Sequence, residues 1–255
     1  MKKVILMMCL AAGAVTIYSC SDDDSTAGSG DYTYKVRMTD APGPYSAVNV
    51  DIQSVAIVDG EGNTVMLDAE TGVQNLLELT NGIDMQLASR NLEDDFVSQI
   101  KIGLGTNNTV VVDGVSRPLA FSTADGAGLT INVNQTLDAD ETNEILIDFD
   151  ANASVVETGV DTYKIVPVIK TIDTSVTGSI SGDTNNTSLA IVTATSTTLQ
   201  SYSTSINSAG NFKLRGLPPG SYTLTVTPIL PLTMATQTNV VVQAGQNTVA
   251  TVITF

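Results

Sequence analysis

The sequence predicts an all-β protein: two antiparallel β-sandwich domains that follow a cleaved signal peptide and a short acidic tether. Three observations favour this fold class. Short runs that alternate apolar and polar residues recur along the chain, turn-forming clusters separate them, and no apolar pattern of helical period extends beyond a turn or two after residue 31. Hydrophobic residues make up 42 % and charged residues 15 % of the 255 residues, which is a globular composition.

Strand signals are frequent in the first half of the chain. The alternating segments are residues 48–52, 100–102, 145–149 and 163–169. Turn clusters separate them, for example at residues 59–63, where Asp, Gly and Asn are concentrated. One short helix is expected near residues 91–95.

The composition changes near residue 175, which predicts a boundary between two domains. Residues 31–175 carry seven basic and 23 acidic side chains, a net charge of −16. Residues 176–255 carry Lys213, Arg215 and Asp183, a net charge of +1. We therefore expect an acidic β-sandwich domain over 31–175 and a second sandwich over 176–255. The second has strand signals at residues 189–194, 222–226 and 249–253.

The first twenty residues combine a basic start, an apolar run and a Cys at the end of that run. Lys2 and Lys3 precede an apolar run over residues 4–17, which is too short to span a membrane. The run ends at Cys20 in a segment that resembles a lipobox, in which the thiol is acylated and the Cys becomes the first mature residue. We therefore predict that residues 1–19 are cleaved and that Cys20 is lipidated. The alternative is an ordinary signal peptide with a chance Cys.

Acidic residues follow the predicted lipidation site directly, as Ser21, Asp22, Asp23 and Asp24. With the small and polar residues after them, they predict a flexible, charged tether over 20–30. The acidic run also resembles the export signal of surface lipoproteins in Bacteroidetes-type bacteria. That resemblance implies an outer-membrane protein that faces the cell surface; the alternative is a solvated linker with no export role.

The residue inventory excludes several function classes. The chain has no His, which excludes Ser-His-Asp and Cys-His catalysis and every zinc site that needs a His. Its 27 acidic residues outnumber its 11 basic residues, so its field repels nucleic acid. No nucleophile elbow, phosphate-binding loop or Ser-x-x-Lys motif is present. We expect no enzymatic activity; a carboxylate-dependent hydrolase is the remote alternative, because paired acids can hydrolyse glycosides.

Asp148, Asp150 and Asn152 are the candidate metal ligands. If one strand carries all three, their oxygens lie on one face about 7 Å apart, where they could hold a hard cation such as calcium. The EF-hand pattern is not met, because Ala153 stands where Gly is required and Gly159 where the bidentate Glu is required. We expect a solvated strand face with no cofactor, and calcium binding is the alternative.

Asp40 precedes the turn-forming sequence Ala-Pro-Gly-Pro. Its carboxylate could face a ligand, but Asp at such a position more often accepts backbone N–H groups in an Asx turn, which is the interpretation we favour. Lys35 and Arg37 lie two residues apart on the same predicted strand. They are expected to share one solvent-exposed face and to pair with the acidic surface.

Segments spread over the first domain carry a family resemblance. They are residues 36–42, 48–52, 75–79, 96–102, 147–150 with 154–156, and 163–170. In these segments the chain resembles the domain of unknown function 4382. The resemblance implies a secreted β-sandwich lipoprotein module with no agreed activity.

The second domain carries its own signature over residues 207–214 and 215–224. Gly210 is expected in a turn. Four side chains are expected to point into the core: Phe212, Leu214, Tyr222 and Leu224. In these residues the domain resembles the carboxypeptidase-regulatory-like modules, which are seven-stranded transthyretin-like sandwiches grouped with the carbohydrate-binding-like folds. The signature implies a fold and not a ligand.

Together these observations predict a surface-exposed or outer-membrane lipoprotein, a non-catalytic module for binding or adhesion at the cell envelope. Its partners would be the lipid bilayer, through acylated Cys20, and an extracellular or envelope protein or glycan, but not nucleic acid. The alternative is an accessory carbohydrate-binding lipoprotein of a glycan-uptake system. Against it, the chain has no Trp, seven Tyr and five Phe, and several of these are needed for the cores.

Overall fold

The computed structural model describes residues 31–121, 128–139, 141–228, 233–251 and 253–255. These ranges contain 21 strands, one α-helix of four residues and one 3-10 helix, so the predicted all-β fold class is confirmed. No helix in the described ranges is long and apolar enough to cross a membrane. The predicted signal peptide, Cys20 and the tether lie outside the described residues.

The N-terminal unit contains fourteen strands around one hydrophobic core in the described part of the chain. They are β1 (Tyr32–Asp40), β2 (Ala47–Asp59), β3 (Thr64–Met66), β4 (Asp68–Ala69), β5 (Gly72–Asn75), β6 (Met85–Leu92), β7 (Phe96–Leu104), β8 (Thr109–Val112), β9 (Val115–Phe121), β10 (Gly128–Thr136), β11 (Asn143–Phe149), β12 (Val155–Gly159), β13 (Thr162–Ile165) and β14 (Ile169–Asp173). The 3-10 helix (Leu76–Leu79) follows β5, and the α-helix α1 (Ala151–Ser154) follows β11.

Two sheets enclose the core of the N-terminal unit. One has the strand order β14-β11-β1-β6-β4, and the other has the order β10-β7-β2-β8-β9-β13-β12, with β3 and β5 also paired to β2. Period-two alternation explains the packing. In β1 the side chains of Tyr34, Val36, Met38 and Asp40 are buried and their neighbours are partly exposed. The side of the five-stranded sheet that faces away from this core is called its outer face below.

The C-terminal unit has a separate core. Its strands are β15 (Gly178–Asp183), β16 (Ala190–Ser196), β17 (Ser201–Ser205), β18 (Asn211–Leu217), β19 (Gly220–Pro228), β20 (Ala235–Val242) and β21 (Asn247–Val249). They form a sheet of order β18-β15-β21 and a sheet of order β17-β16-β19-β20. The buried cluster of this unit runs from Ile180 to Ile253, whereas that of the N-terminal unit runs from Tyr34 to Ile165. The domain limits of 31–175 and 176–255 remain a prediction.

The turn before β18 and the turn after it have the geometry that the sequence predicts. Asn207 Oδ1 accepts the N–H groups of Ala209 and Asn211, each at 3.0 Å, and Gly210 has a φ of +84°, which favours glycine. The Pro-Pro-Gly turn leads from β18 to β19 in the other sheet, and the hydroxyl of Tyr222 donates to the carbonyl oxygen of Pro218 at 2.8 Å. The four side chains expected to point inward are buried: Phe212, Leu214, Tyr222 and Leu224.

Three of the four sheets are mixed, and the sheet of β17, β16, β19 and β20 is purely antiparallel. Strand β1 pairs in parallel with β11, β9 with β13, and β15 with β21. The strand predicted over residues 163–169 is two strands in different sheets, β13 and β14. Pro167 lies between them, and it has no N–H group to contribute to a sheet.

The short helix predicted near residues 91–95 is wrong. Leu92 ends β6 and Phe96 begins β7, with a bend between them. The carboxylate of Asp94 accepts the N–H of Phe96 at 2.9 Å and the N–H of Gly60 at 3.2 Å. Such local side-chain bonds compete with the helical pattern of backbone bonds.

Candidate functional site

The two units meet on the outer face of β1, β11 and β14. Arg37, Leu146 and Ile172 lie side by side on these three strands. Leu146 is 0 % exposed and Ile172 is 8 % exposed, yet neither belongs to the core of either unit. Gly216 of the C-terminal unit lies against Ile172 so closely that a Cβ at this position would clash with it, and its φ of +69° favours glycine. The C-terminal unit therefore covers an apolar patch on the outer face.

Asp84 joins the two units by charge. Its carboxylate, 3 % exposed, forms ion pairs with Arg37 on β1 and with Arg215 on β18. Burial, and then the neighbouring Arg37, lower the pKa of Arg215. The prediction that Arg37 pairs with an acid is confirmed. Its predicted solvent face is only partly open: the Arg37 side chain is 27 % exposed, because the C-terminal unit covers this part of the sheet.

Asn81 fastens the loop before Asp84 to the C-terminal unit. Its backbone N–H donates to Thr204 Oγ1 at 2.8 Å, and its side-chain oxygen accepts the N–H of Lys213 at 2.7 Å. Its side-chain nitrogen donates to the carbonyl oxygen of Asn211 at 3.2 Å. With a φ of 60°, Asn81 adopts the left-handed conformation that Asn tolerates better than most residues. A single turn thus makes three hydrogen bonds across the contact.

A cleft of about 110 Å³ lies at this contact. The N-terminal unit contributes Asp40, Asp148, Asp150 and Lys170 to its walls, and the C-terminal unit contributes Tyr202 on the edge strand β17. Three acids from the ends of two adjacent strands are thereby brought to one place. This cleft is the candidate functional site.

Asp40 is the most deeply buried acid of the cleft, at 5 % exposure. Its Oδ1 accepts the N–H of Ala151 at 2.8 Å, whereas its Oδ2 is buried without a hydrogen-bond partner among the described residues. The predicted Asx turn is wrong, because Pro42, two residues on, has no N–H to donate. Burial, with a smaller contribution from Asp148 and Asp150, raises the pKa of Asp40 to about 8, although the Ala151 N–H opposes the shift.

Asp148, Asp150 and Asn152 do not alternate along one strand, so the predicted ligand row is wrong. Strand β11 ends at Phe149, and Asp150 caps α1 by accepting the N–H of Ala153 at 2.9 Å. Asn152 is exposed on α1. Asp148 is half-buried, and burial raises its pKa to about 6 against the lowering influence of Lys170. The described residues contain no group of three acidic side chains placed to hold a metal ion.

Lys170 connects the acidic end of the cleft to the C-terminal unit. It is the cross-strand neighbour of Asp148, and its Nζ lies 5.9 Å from the centre of the Tyr202 ring, within the range of a cation–π contact. No ion pair within 4 Å joins it to any described carboxylate. Tyr202 packs edge-on against Tyr222 of the C-terminal core. Burial and the charge of Asp148 raise the pKa of Tyr202.

A larger groove of about 660 Å³ lies on the N-terminal unit, beside the predicted turn at residues 59–63. Two of its acids, Asp59 and Asp94, accept hydrogen bonds from the local backbone. Asp59 Oδ1 accepts the N–H groups of Glu61 and Asn63, at 3.0 and 2.7 Å, and Asp94 accepts from Gly60 and Phe96. These hydrogen bonds account for the positions of Asp59 and Asp94 beside the groove without a ligand.

The cleft meets one requirement of an acid catalyst but not the others. Asp40 has a raised pKa, as a general acid needs, but the free oxygen is inaccessible and the cleft is far smaller than the roughly 300–1,000 Å³ of ordinary ligand pockets. A sugar ring could not reach Asp40 in this arrangement.

A family model described as a domain of unknown function, DUF4382, matches residues 33–167, just over half of the chain. This chain belongs to the DUF4382 family. The matched segment begins in β1 and ends after β13, so β14 and the C-terminal unit lie beyond it. The family description names no activity, and no catalytic family is matched. The resemblance predicted for the N-terminal unit is confirmed, and that of the C-terminal unit to carboxypeptidase-regulatory-like modules stays a prediction.

Comparisons with other proteins add little to the family match. No curated protein matches this DUF4382 protein. Among solved structures, the Bacillus anthracis TIE protein is 13 % identical with a TM-score of 0.23, and the match covers 87 % of this chain and 34 % of that one. A mutant of the shaft pilin SpaA from Lactobacillus rhamnosus GG is 9 % identical with a TM-score of 0.21, covering 87 % and 96 %. TM-scores this low do not establish a shared fold.

The cleft combines family-matched residues with residues outside the match. Asp40, Asp148 and Asp150 lie within residues 33–167, whereas Lys170 and Tyr202 do not. Sequence reasoning did not identify Asn81, Asp84 or Tyr202 as site residues. An Asn-Gly pair at 81–82 does signal a turn, but nothing local shows which surface that turn contacts.

Proposed function

We propose that this DUF4382 protein is a lipid-anchored outer-membrane protein that faces the cell surface and acts as a non-catalytic binding or adhesion module. The lipobox-like segment that ends at Cys20 supports the anchor. The described fold begins only some ten residues later, and a chain of that length reaches at most about 40 Å, so the folded units would stay close to the membrane. Acidic residues in the tether support export.

The observation that supports the non-catalytic role is that the acids of the cleft have structural partners. The most strongly perturbed of these acids, Asp40, accepts the N–H of Ala151 and is buried at the end of β1, so its carboxylate stabilises the fold of the N-terminal unit. The two units are joined at three places: an apolar patch at Leu146, the ion pairs of Asp84 and the hydrogen-bonded turn at Asn81. A body joined in this way is suited to present a surface at a fixed orientation.

Replacement of Cys20 by Ala tests the anchor. The variant should still be secreted but should leave the membrane fraction, because the acyl chains would be the apolar attachment. The matched control is Cys9→Ala, which changes the other Cys of the chain inside the predicted cleaved peptide and should leave the protein in the membrane fraction. An unchanged membrane association of Cys20→Ala would contradict the proposal.

The surface orientation has a separate test. Changing Asp22, Asp23 and Asp24 together to Asn should convert the protein in whole cells from protease-accessible to protease-protected, while Cys20 still holds it in the membrane fraction. Equal accessibility of both forms would reduce the acidic run to a spacer and leave the anchor itself unaffected.

A second candidate function is glycan binding, and one observation favours it. On β16 and β19 the side chains of Val192, Ala194, Leu224 and Val226 are buried, which places Thr193, Thr195, Thr225 and Thr227 on the opposite face. Thr193 lies opposite Thr225 and Thr195 lies opposite Thr223, so hydroxyls of the two strands form uncharged cross-strand pairs that could bond sugar hydroxyls. Binding on a glycan array that is lost in Thr225→Val but kept in Thr64→Val would support this function; no binding would exclude it.

A further inference from the structure

A second groove, of about 200 Å³, lies beside the cleft where the chain enters the C-terminal unit. Residues 174–179, the end of β18 and the turn at residues 245–247 form its walls. Lys213 and Arg215, which are the two basic residues of 176–255, both line it, and no acidic residue does. This lining is the reverse of the overall charge of −16, and it favours an anionic ligand.

A β-bulge in β18 shapes one wall of this groove. The pairing of β15 with β18 shifts here, so that Arg215 and Gly216 together lie opposite Ser179. Gly216 has a φ of +69°, which favours glycine. Bulges change the direction of side chains and are frequent beside functional sites. In this bulge Arg215 lines the groove and also contacts Asp84 of the N-terminal unit.

Lys213 has no counter-ion among the described residues. No described carboxylate lies within 4 Å of its ammonium group, although the acidic cleft is adjacent. Its position is fixed at two points. The backbone N–H donates to Asn81 Oδ1 at 2.7 Å, and the side-chain carbons lie so close to Gly82 that a Cβ there would clash with them. The ammonium group is therefore held in place and is available to an anion from outside the chain.

Arg215 contributes hydrogen-bond donors more than net charge. Asp84 and Glu144 balance the charges of Arg37 and Arg215. A guanidinium group has five N–H bonds, and Arg215 contacts Asp84 through Nη1 alone, so further donors remain for a ligand.

Other groups at the groove are also donors. The hydroxyl of Thr174 and the side-chain amide of Gln246 line it and have no hydrogen-bond partner among the described residues. Asp173 precedes Thr174 in the chain, but its Oδ1 accepts the N–H and the hydroxyl of Ser175, at 2.9 and 2.6 Å. That carboxylate is therefore occupied by its own turn and does not line the groove.

Size and chemistry narrow the anion. A volume of about 200 Å³ corresponds to roughly seven water molecules, at about 30 Å³ each, which is room for a small oxyanion with part of its water. No apolar side chain lines the groove, so an apolar ligand would find no partner. An ammonium group and a guanidinium group that converge with a hydroxyl are typical donors to the oxygens of phosphate and sulfate.

We propose that the groove binds one tetrahedral oxyanion, sulfate or phosphate, through the ammonium group of Lys213, the remaining N–H groups of Arg215 and the hydroxyl of Thr174. The oxyanion is either a free ion or an ester group of a polysaccharide, and the chemistry of recognition is the same for both. The site depends neither on the membrane anchor nor on the threonine face considered for glycan binding.

Isothermal titration calorimetry on the mature chain in its soluble Cys20→Ala form tests the proposal, with sodium sulfate and sodium phosphate as separate arms at ionic strength fixed with KCl. We expect one saturable site per chain, weakened at least about tenfold in Lys213→Gln, a tenfold change being about 1.4 kcal/mol. Lys213→Arg keeps the charge and should keep the binding. Lys164→Gln, which changes an exposed lysine of β13 outside the groove, should bind like the unmodified protein.

A second variant and a second ligand separate a lost site from a lost fold and identify the source of the anion. Thr174→Val changes a turn outside the strands and should weaken binding about threefold, by the loss of one hydrogen bond. Chondroitin sulfate that binds through Lys213 while desulfated chondroitin does not would identify an ester group; otherwise the free ion is the ligand. Absence of saturable heat with both salts, or equal heat in Lys213→Gln with an unchanged circular dichroism spectrum, would overturn the proposal.

Discussion

Asp40 and Asp84 are both buried acids at the contact between the units, but they are stabilised in opposite ways. Asp84 faces two arginines, whereas Asp40 accepts one backbone N–H and lies beside two further carboxylates. Asp84 is therefore compensated by opposite charges, and Asp40 is most stable with its proton on. The sequence contains both residues, but their environments depend on partners that are distant along the chain.

The proton on Asp40 predicts how stability depends on pH. Its pKa is about 8 in the folded protein and about 3.9 when unfolded, so the folded state holds a proton that the unfolded chain releases between these values. This contribution is complete below pH 4, and the free energy of unfolding should fall from about pH 4 to about pH 8, by at most about 1.4 kcal/mol per pH unit. Asp148 acts in the same direction up to about pH 6.

Thermal melting from pH 5 to pH 9 in the presence of a chelator measures this dependence. The melting temperature of the unmodified protein should fall with pH, and Asp40→Asn should remove most of the fall, because it cannot ionise. The exposed control Asp68→Asn should keep the full pH dependence. A curve for Asp40→Asn that runs parallel to that of the unmodified protein would show that Asp40 does not hold the proton.

Sequence reasoning correctly singled out Asp40, but it assigned the wrong partner. The absence of an N–H on Pro42 was available in the sequence and argues against the Asx turn. The actual donor, Ala151, lies 111 residues away along the chain. It lies next to Asp40 because β1 and β11 pair in parallel. Local patterns carry no information on that pairing.

At the scale of elements, β11 shows a signal that alternation alone misses. Ile145, Leu146 and Ile147 are consecutive apolar residues, and a strand that is apolar on both faces is typical of burial on both sides. The structure buries Ile145 and Ile147 in the core and Leu146 under the C-terminal unit. The existence of β11 was predictable from the alternation of apolar and polar residues near Asp148. It was not predictable that the C-terminal unit would cover Leu146.

The ion cluster at Asp84 predicts a large effect for one charge. Asp84→Asn leaves Arg215 without a counter-charge and leaves Arg37 with only Glu144, at 4.0 Å. Both arginines are a little over a quarter exposed, and the change should lower the free energy of unfolding by about 2–3 kcal/mol. The matched control is Asp161→Asn, which breaks a surface ion pair with Arg117 in which Asp161 is 53 % exposed. That change should cost less than about 1 kcal/mol.

Urea unfolding compares the two variants through the midpoint at constant m-value. A cost for Asp84→Asn that is no greater than that of Asp161→Asn would show that the cluster contributes no more than an ordinary surface pair. The double variant Asp84→Asn with Arg215→Gln should recover part of the loss, since it removes the charge of Arg215 that has lost its partner.

At the scale of the whole molecule, the charge break near residue 175 has a structural counterpart. The acidic N-terminal unit receives both basic residues of the C-terminal unit, Lys213 and Arg215, in the walls of the cleft. Composition predicted that there are two parts and where one gives way to the other. It could not predict their contact, because that depends on which faces of two sheets are left apolar or charged after each part folds.

The central claim is that the C-terminal unit is docked on the outer face of the five-stranded sheet of the N-terminal unit. Engineered cysteines test it directly, because Thr80 Oγ1 and Ser205 Oγ lie 3.4 Å apart across the contact, and a disulfide requires such close approach. In a Cys20→Ala background, Thr80→Cys with Ser205→Cys should oxidise in air almost completely to an internal disulfide, read by mass spectrometry. Thr64→Cys with Ser205→Cys, which uses an exposed position on β3 in the other sheet, should remain reduced. Failure of the first pair to oxidise, or equal oxidation of both pairs, would contradict the docked arrangement.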